Sequence, residues 1–323
     1  MTEFERIAKF FAPLAQEDPG AIGLTDDAAV ISVSDGTELV VSVDSVVAGV
    51  HFPDDETSGF IARKALRVGL SDLAAMGASP RGYLICLAGG RELDQEWFRG
   101  FAEGLSIDQS VLRCPLLGGD TVAKRGPLTV STTVFGEVPR ATELRRSGAK
   151  VGDRIFISGS IGDAALGLRV LQGTISETDE AVRAYLLDRY RLPEPRLRLG
   201  TQLRGLANAA IDVSDGLISD LGHMCVASGV GSVVRTASLP FSLAARALIA
   251  ADPSRLTMAL TGGDDYEILF TVPGDRLATV SGLATRLNLT LTEFGEIVAG
   301  EEVLVLDPND RPLELNVTGY KHY

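Results

Sequence analysis

A polar and basic stretch interrupts an otherwise regular alternation of strand-like and helical segments, and this interruption constrains the fold most strongly. Residues 139–152 lack the apolar periodicity of a buried element. The apolar pattern restarts directly afterwards with the strand-like sequence RIFISGS. Because 323 residues exceed the usual length of one domain, we predict a linker at 139–152 between an N-terminal domain at 1–138 and a C-terminal domain at 153–323.

Both halves of the chain mix helical and strand-like sequence. Residues 59–76 carry apolar side chains at helical spacing, whereas 38–44 is rich in valine and 128–138 alternates, as β-strands do. The same patterns predict an amphipathic helix in the first 20 residues, strands at 28–33, 81–88 and 267–272, and helices at 163–172 and 216–228. The sequence therefore predicts an α/β protein with layers of the α+β type.

The chain is strongly acidic, with a formal net charge of −13. Nucleic acids and anionic membranes are bound by basic faces, so we expect neither as a partner. The first 20 residues lack the apolar run of a secretory signal, and no apolar run approaches the roughly 20 residues that span a bilayer. The three cysteines are widely spaced and form no disulfide framework, so we expect a cytoplasmic protein.

Aspartates occur in short clusters that follow apolar segments. Carboxylates and hydroxyls are hard oxygen ligands suited to Mg²⁺, although Asp-Asp and Asp-Gly pairs also serve turns and helix caps. One such cluster says little, but several in one chain favour a metal-dependent site. The clusters are Asp26-Asp27, Ser42-Val43-Asp44, Ser71-Asp72, Gly118-Gly119-Asp120 and Asp212-Val213-Ser214-Asp215-Gly216.

Asp72 is the most informative of these residues. Steps of three or four along the predicted helix lead from it to Val68, Ala65 and Ile61, so its carboxylate projects from the apolar stripe. A buried carboxylate needs a cation, hydrogen-bond donors or a metal. Two interpretations stay open, an ion pair with an arginine and metal ligation, and we favour the second.

Asp212, Ser214 and Asp215 lie where a strand-like run ends and a helix begins. In an extended segment Asp212 and Ser214 share a face. Asp215 has an ordinary alternative role as the cap of the following helix. The carboxyl end of a strand beside a helix N-terminus is also where phosphates bind, so a role in binding stays open beside the capping role.

Several common enzyme motifs are absent from the sequence. It contains no P-loop, and GSIGDAALG at 159–167 fits neither that motif nor the dinucleotide-binding fingerprint. The histidines His51, His223 and His322 lack the H-E-x-x-H spacing and a nearby cysteine pair, which argues against a zinc enzyme. No G-x-S-x-G nucleophile elbow occurs.

In combination, the motifs of the chain resemble the thiamine-monophosphate kinase family. Matching segments run in order along nearly the whole chain: GLTDDAAV, VSVDSVVAGVHF, LSDLAAMGASP, LLGGDT, RRSGAKVGD, AIDVSDGLISDL and LTGGDDYEILF. GVHF, SDLAAMGA and DVSDGL separate it from the aminoimidazole ribonucleotide synthetase and selenophosphate synthetase families, which share the fold. The resemblance implies a two-domain aminoimidazole ribonucleotide synthetase-like fold. Its N-terminal sheet domain would bind ATP and metal and dimerise, and its C-terminal α/β domain would complete the active site.

The resemblance also implies ligands and roles for individual residues. It implies several Mg²⁺ ions, ATP as co-substrate and thiamine monophosphate as acceptor. The implied metal ligands are Asp27, Ser42, Val43, Asp44, Asp72, Asp120, Asp212 and Asp215. The implied ATP contacts are Gly119, Asp120, Arg146 and Ser214, the implied substrate contacts are His51, Asp264 and Tyr320, and the implied catalytic residues are Asp72, Asp120 and Arg146.

Two positions depart from the usual pattern of that family. It often has threonine where Val43 stands, so any ligand there is the backbone carbonyl. It usually has glutamate where Asp264 stands, which makes a contact to the thiamine moiety one methylene shorter or mediated by water. His51 and Tyr320 also have an interpretation as packing residues.

We therefore expect ATP- and Mg²⁺-dependent phosphorylation of thiamine monophosphate to thiamine diphosphate by direct in-line transfer. An acceptor phosphate with a second pKa of about 6 needs no general base at neutral pH. One alternative is another ATP-dependent synthetase of the same fold acting on a different nucleophile. A selenophosphate synthetase would need a reactive cysteine close to the N-terminus, whereas the first cysteine is Cys86. The other alternative is a non-catalytic protein that binds nucleotide and metal, and the intact aspartates argue against it.

Overall fold

The chain forms two compact units in a computed structural model that describes residues 2–90, 93–315 and 319. The units comprise Met1–Leu73 with Ala78–Ala141, and Ala74–Gly77 with Thr142–Tyr323. Residues 140–153, which include most of the predicted linker, form neither helix nor strand. The predicted domain limits themselves stay a prediction.

The first unit is built on a four-stranded sheet in the order β1-β4-β2-β3. Strand β4 runs antiparallel to both β1 and β2, whereas β2 and β3 are parallel. Its elements are the α-helical turn α1 (Glu3–Arg6), 3-10 helices at Ala12–Ala15 and Pro19–Leu24, β1 (Thr37–Val47), α2 (Ser58–Ala75, in this unit to Leu73), β2 (Ser79–Gly89), α3 (Gln95–Leu112), β3 (Leu116–Ala123) and β4 (Thr129–Pro139).

Alternation along the strands gives this sheet one buried face. Tyr83 of β2 and Val130 and Val134 of β4 are fully buried there. Helix α2 packs on the same face, because a Cβ added at Gly69 would lie 3.1 Å from the Val134 side chain. We call this the helix face and the opposite one the open face, on which Val43 is 63% exposed.

The segment before β1 corrects two predictions. The amphipathic helix expected in the first 20 residues is a single α-helical turn, followed by a π-helical turn at Ile7–Phe11 and two 3-10 helices. Both 3-10 helices begin at or beside a proline, which cannot donate the N–H that an α-helix would use. The strand expected at 28–33 is wrong, because this stretch joins no sheet: the Val30 N–H donates to the Gly20 carbonyl at 2.8 Å.

The second unit is built on a six-stranded sheet in the order β10-β7-β9-β5-β8-β6, in which only β10 and β7 are parallel neighbours. Its elements are β5 (Arg154–Ser158), α4 (Asp163–Leu171), α5 (Glu180–Arg191), α6 (Leu197–Leu203), β6 (Ala209–Asp212), α7 (Leu217–Ser228), β7 (Gly231–Arg235), α8 (Leu243–Ala251), α9 (Arg255–Thr261), β8 (Ile268–Val272), α10 (Leu277–Leu287), β9 (Leu291–Val298) and β10 (Val303–Leu306), with short 3-10 helices at Thr236–Ser238 and Gly274–Arg276.

Both faces of the second sheet are covered by helices. Ile155 and Ile157 of β5 enter an apolar cluster with Leu221 of α7. Phe156 points to the other face, where it stacks on Phe270 with 5.5 Å between ring centroids, in a cluster that includes residues of α6 and α10. The helices predicted at 59–76, 163–172 and 216–228 and the strands predicted at 38–44, 81–88, 128–138 and 267–272 are confirmed. Of the helices in the described part of the chain, none has the length and apolar composition that crossing a membrane requires.

Candidate active site

Asp72 meets a hydroxyl of the sheet in the first unit. On α2 it stands between the fully buried Ser71 and Leu73, and its own side chain is half-buried. The Ser42 hydroxyl of β1 donates a hydrogen bond to Asp72 Oδ2. In the described part of the chain no arginine pairs with Asp72, so the ion-pair interpretation finds no support. The structure brings two predicted metal ligands together at the helix face.

Asp44 joins this pair on the same face of the sheet, whereas Val43 does not. Ser42 and Asp44 lie opposite Val134 and Thr132 of β4, both fully buried on the helix face. Val43 falls between them and points to the open face. Its apolar side chain cannot ligate a metal, so only its carbonyl oxygen could serve.

Asp120 lies on the opposite face and at the opposite edge of the sheet. It pairs with Cys86 in the β2–β3 register, so the two side chains share the open face. Burial raises the pKa of the Cys86 thiol, and the Asp120 charge adds to the shift. Since three strand spacings separate β3 from β1, Asp120 lies about 14 Å from β1. The structure does not bring it to Asp44 within one chain.

Gly119 comes just before Asp120 and allows a close approach of two strands. A Cβ at this position would lie 1.9 Å from the Ile85 carbonyl oxygen of β2. Any other residue would therefore displace β3. Gly119 and Asp120 are exposed residues, and the Thr121 N–H donates to Asp120 Oδ1 at 2.7 Å.

Asp27 lies in the exposed segment before β1. Its main-chain N–H donates to Asp26 Oδ1 at 2.9 Å, an ordinary turn contact. Among the described contacts, none joins the Asp27 side chain to Ser42 or Asp72. Its predicted role as a metal ligand stays a prediction.

His51 is held in a tight turn between β1 and α2. Its Nδ1 accepts the Val47 N–H at 3.1 Å, and its own N–H donates to the Val47 carbonyl at 2.8 Å. An Nδ1 that accepts leaves the proton of the neutral imidazole on Nε2. The buried Lys64 of α2 donates from Nζ to the His51 carbonyl at 2.9 Å. Sequence reasoning missed Lys64, because a lysine on a helix is ordinarily a surface residue.

In the second unit, Asp212 and Asp215 flank the turn from β6 into α7. Asp212 is 4% exposed at the end of the strand. Asp215 does not cap α7: the N-cap is Gly216, and no side chain makes the capping bond there. Instead, Asp220 reaches back and accepts the Asp215 and Gly216 N–H groups at 3.0 and 3.1 Å. The capping interpretation of Asp215 is therefore wrong.

Asp220 and His223 of α7 place two further possible metal ligands beside Asp215. Ligand atoms of these three residues lie within 4.8 Å of one another, a spacing that could hold a metal ion. Burial, followed by the charges of Asp212 and Asp215, raises the pKa of Asp220 to about 8. Sequence reasoning missed Asp220 and His223, although their spacing of three on a helix places them on one side of it.

The loop between α9 and β8 brings Asp264 beside Ser214. The Asp264 N–H donates to the Ser214 carbonyl at 2.9 Å, and the Tyr266 N–H donates to the Val213 carbonyl at 2.8 Å. Gly263 permits this approach, because a Cβ there would lie 2.0 Å from the Ser214 oxygen. A predicted substrate contact and a predicted nucleotide contact therefore lie on adjacent loops.

Arg146 lies in the segment between β4 and β5, and its side chain is exposed. Its carbonyl accepts the Ser228 hydroxyl at 3.3 Å, which ties the segment to the end of α7. An exposed guanidinium suits a role in binding an anion. Tyr320, the third predicted substrate contact, lies outside the described residues.

The chain matches two family models that together cover most of its length. Residues 25–138 match the AIR synthase related protein N-terminal domain, and residues 150–307 match the C-terminal domain of the same family. A thiamine-monophosphate kinase of Caulobacter vibrioides is 42% identical over 306 residues, which is 94% of this chain and 86% of that protein.

Solved structures show the same similarity. A thiamine-monophosphate kinase from Stenotrophomonas maltophilia has a TM-score of 0.86 at 40% identity, covering 94% of this chain and 96% of the other. AaThiL complexed with AMPPCP and TMP has a TM-score of 0.79 at 27% identity, covering 100% and 99%. The similarity extends over both units.

Proposed function

The chain belongs to the thiamine-monophosphate kinases of the AIR synthase related family, and from this we propose that it uses Mg²⁺ to transfer the γ-phosphate of ATP directly onto thiamine monophosphate. It is a kinase with ATP as co-substrate. The observation that carries the proposal is the 42% identity to a thiamine-monophosphate kinase over 94% of this chain. A cytoplasmic location stays a prediction.

The charges of the protein and its substrates support the need for Mg²⁺. ATP and a phosphomonoester bring together about five or six negative charges, and the chain itself carries −13. Phosphates beside bare aspartates would repel strongly unless divalent cations lay between them. Carboxylate and hydroxyl oxygens, such as those of Asp72 and Ser42, are the donors that Mg²⁺ takes.

The proposed ligands fall into two groups, described unit by unit. Asp72, Ser42 and Asp44 share the helix face of the first unit, and in the second unit Asp212 and Asp215 flank the β6–α7 turn. When bound, the metal ions would neutralise the phosphates and orient the reacting groups. The full proposed set is Asp27, Ser42, Val43 through its carbonyl, Asp44, Asp72, Asp120, Asp212 and Asp215.

The protein groups would position the substrates rather than move protons. The acceptor phosphate is already largely deprotonated at neutral pH, so direct attack needs no general base. Arg146 would contact ATP and stabilise charge on the transferred phosphoryl group, and Gly119, Asp120 and Ser214 would also contact ATP. His51, with its proton on Nε2, would donate to the substrate, which Asp264 would also contact.

A homodimer formed through the first sheet is also part of the proposal. Strand β1 is an edge strand, and on its open face Leu39, Val41 and Val43 are 40%, 52% and 63% exposed. A row of exposed apolar side chains on an edge strand is normally covered. A second copy packed on this face would bury them.

A coupled assay for ADP release tests the proposed function. We expect turnover with ATP, Mg²⁺ and thiamine monophosphate, and none with free thiamine or aminoimidazole ribonucleotide precursors. Activity on thiamine alone would contradict the proposed acceptor. A phosphorylated protein detected during a single turnover would rule out direct transfer.

A further inference from the structure

The loop 262–267 of the second unit buries two of its three carboxyl side chains and leaves the third partly exposed. Asp265 is 2% exposed and Glu267 is fully buried, whereas Asp264 between α9 and these residues is only half-buried. The two buried acidic side chains hold the loop in place. The third is presented at its surface.

Asp265 fastens the loop to the start of α4. Its carboxyl oxygens accept the Gly162 N–H at 2.6 Å and the Ala164 N–H at 3.3 Å. These N–H groups belong to the first turn of the helix, where no intrahelical acceptor exists. The Asp265 side chain therefore takes the place of a helix cap.

Glu267 fastens the other end of the loop through a buried ion-pair network. Its carboxylate accepts a hydrogen bond from Arg189 Nη2 at 2.9 Å and two from Arg196, from Nε at 2.7 Å and from Nη2 at 2.6 Å. The Ser158 hydroxyl of β5 adds a fourth hydrogen bond at 2.6 Å. Each carboxylate oxygen is thus held by two donors, which leaves the loop little freedom to shift.

Beside these anchors the backbone adopts an unusual conformation. Asp264 and Tyr266 have φ angles of +71° and +51°, in the left-handed region that side chains other than glycine rarely occupy. Such residues persist where surrounding contacts over-determine them, and they concentrate at functional sites. Here the conformation turns both side chains to the same side of the loop, where the Tyr266 hydroxyl lies 3.2 Å from Asp264 Oδ1.

We propose that Tyr266 is a positioning residue that sets the orientation of the Asp264 carboxylate toward the thiamine monophosphate acceptor. The inference rests on the proposed function, in which Asp264 contacts that substrate. Tyr266 is 6% exposed, and its main-chain N–H donates a hydrogen bond to the Val213 carbonyl. Burial and this hydrogen bond hold the residue in place, so its phenol is a fixed donor. A hydrogen bond from a fixed donor selects one orientation of a carboxylate that could otherwise rotate.

Removing the phenol oxygen tests this role. In Tyr266→Phe we expect the KM for thiamine monophosphate to rise about fivefold to tenfold, with kcat and the ATP KM within about twofold. This is the effect of an ordinary rather than a strong hydrogen bond, because the 3.2 Å separation is long. Tyr185→Phe is the matched control, because the Tyr185 hydroxyl also donates to a carboxylate of this unit, Asp163, at 2.9 Å. The control should leave all three constants unchanged.

A second variant separates positioning from a general structural role. If Tyr266 acts through Asp264, adding Tyr266→Phe to Asp264→Ala should change the thiamine monophosphate KM no further, within about twofold. If the KM changes of Tyr266→Phe and Asp264→Ala were additive, the inference would be wrong although the wild-type protein is active. A Tyr266→Phe variant with the same constants as Tyr185→Phe would also overturn it. A wild-type protein inactive on thiamine monophosphate would instead overturn the proposed function, and this inference with it.

Discussion

At the scale of single residues, the pairing of Asp72 with a serine rather than an arginine decides what the site can do. A carboxylate beside an arginine is neutralised by the protein itself. The Ser42 hydroxyl donates one hydrogen bond to Asp72 and brings no positive charge. The negative charge of Asp72 therefore stays available to a cation from solution.

Asp72→Asn tests the metal-ligand role. The amide keeps the shape and the hydrogen-bonding capacity of the carboxylate but loses its charge, so we expect an unchanged fold and a loss of about 100-fold or more in kcat. The measurement is steady-state turnover across a Mg²⁺ titration, with circular dichroism to follow the fold. Asp55→Asn, at an exposed position of the same unit, is the control. Normal turnover of Asp72→Asn at saturating Mg²⁺ would show that Asp72 is structural.

At the scale of elements, the loop 262–267 carries its own support. Asp265 caps α4 and Glu267 holds two arginines, so the loop is joined to α4, α5 and the start of α6 rather than only to the strand it precedes. Burial raises the pKa of Asp265 to about 8, and the nearby Asp163 charge adds to the shift. The support of the loop therefore depends on pH.

The pH dependence of unfolding tests this support. Since the folded pKa of Asp265 is about 8 and the ordinary value is 3.8, the folded protein holds a proton that the unfolded chain releases between these pH values. The free energy of unfolding should therefore fall as the pH rises toward 8, by up to about 1.4 kcal/mol per pH unit from this group. Urea unfolding at pH 6 and pH 8 measures it.

Asp265→Asn should remove this part of the slope, because an amide does not titrate. Asp188→Asn, an exposed aspartate of α5, should leave the slope as in the wild type. An unchanged slope in Asp265→Asn would mean that the buried carboxyl is not the source.

At the scale of the whole molecule, the position of Asp120 raises the question of how many chains build one site. Within one sheet it lies about 14 Å from β1 and on the opposite face from Asp44. One metal ion cannot bridge that distance. If both residues serve one reaction, a second copy is the simplest source of one of them.

Mixing two inactive variants tests this arrangement. On the proposed homodimer, we expect Asp44→Asn and Asp120→Asn each to be inactive when present alone. After equal amounts are unfolded and refolded together, about a quarter of the wild-type activity should return, because half of the dimers are mixed and each has one intact site. The assay is ADP release at matched total protein, with each variant refolded alone as the control. No recovery would mean that each site uses one chain.

The sequence predicted the long elements and the chemistry of the ligands better than their arrangement. The spacing around Asp72 placed it correctly on α2, facing a polar partner in an otherwise apolar stripe. The stretch 28–33 looked like a strand because valine and isoleucine recur in it, yet it pairs with no strand. Periodicity records which face of a segment is apolar, and it does not record which neighbour covers that face.

By itself, the sequence determined the family, the order of the main elements and the supply of hard oxygen ligands, because motifs and periodicity are local properties of the chain. Only the tertiary structure decided that Asp120 lies across the sheet from Asp44, that Asp220 holds the Asp215 backbone, and that Tyr266 reaches Asp264. The first two depend on strand order and on the path of a helix. The third depends on two residues with left-handed backbone conformations, which no sequence pattern predicted. The buried anchors around these residues impose that conformation, and the residues' own conformational preferences do not.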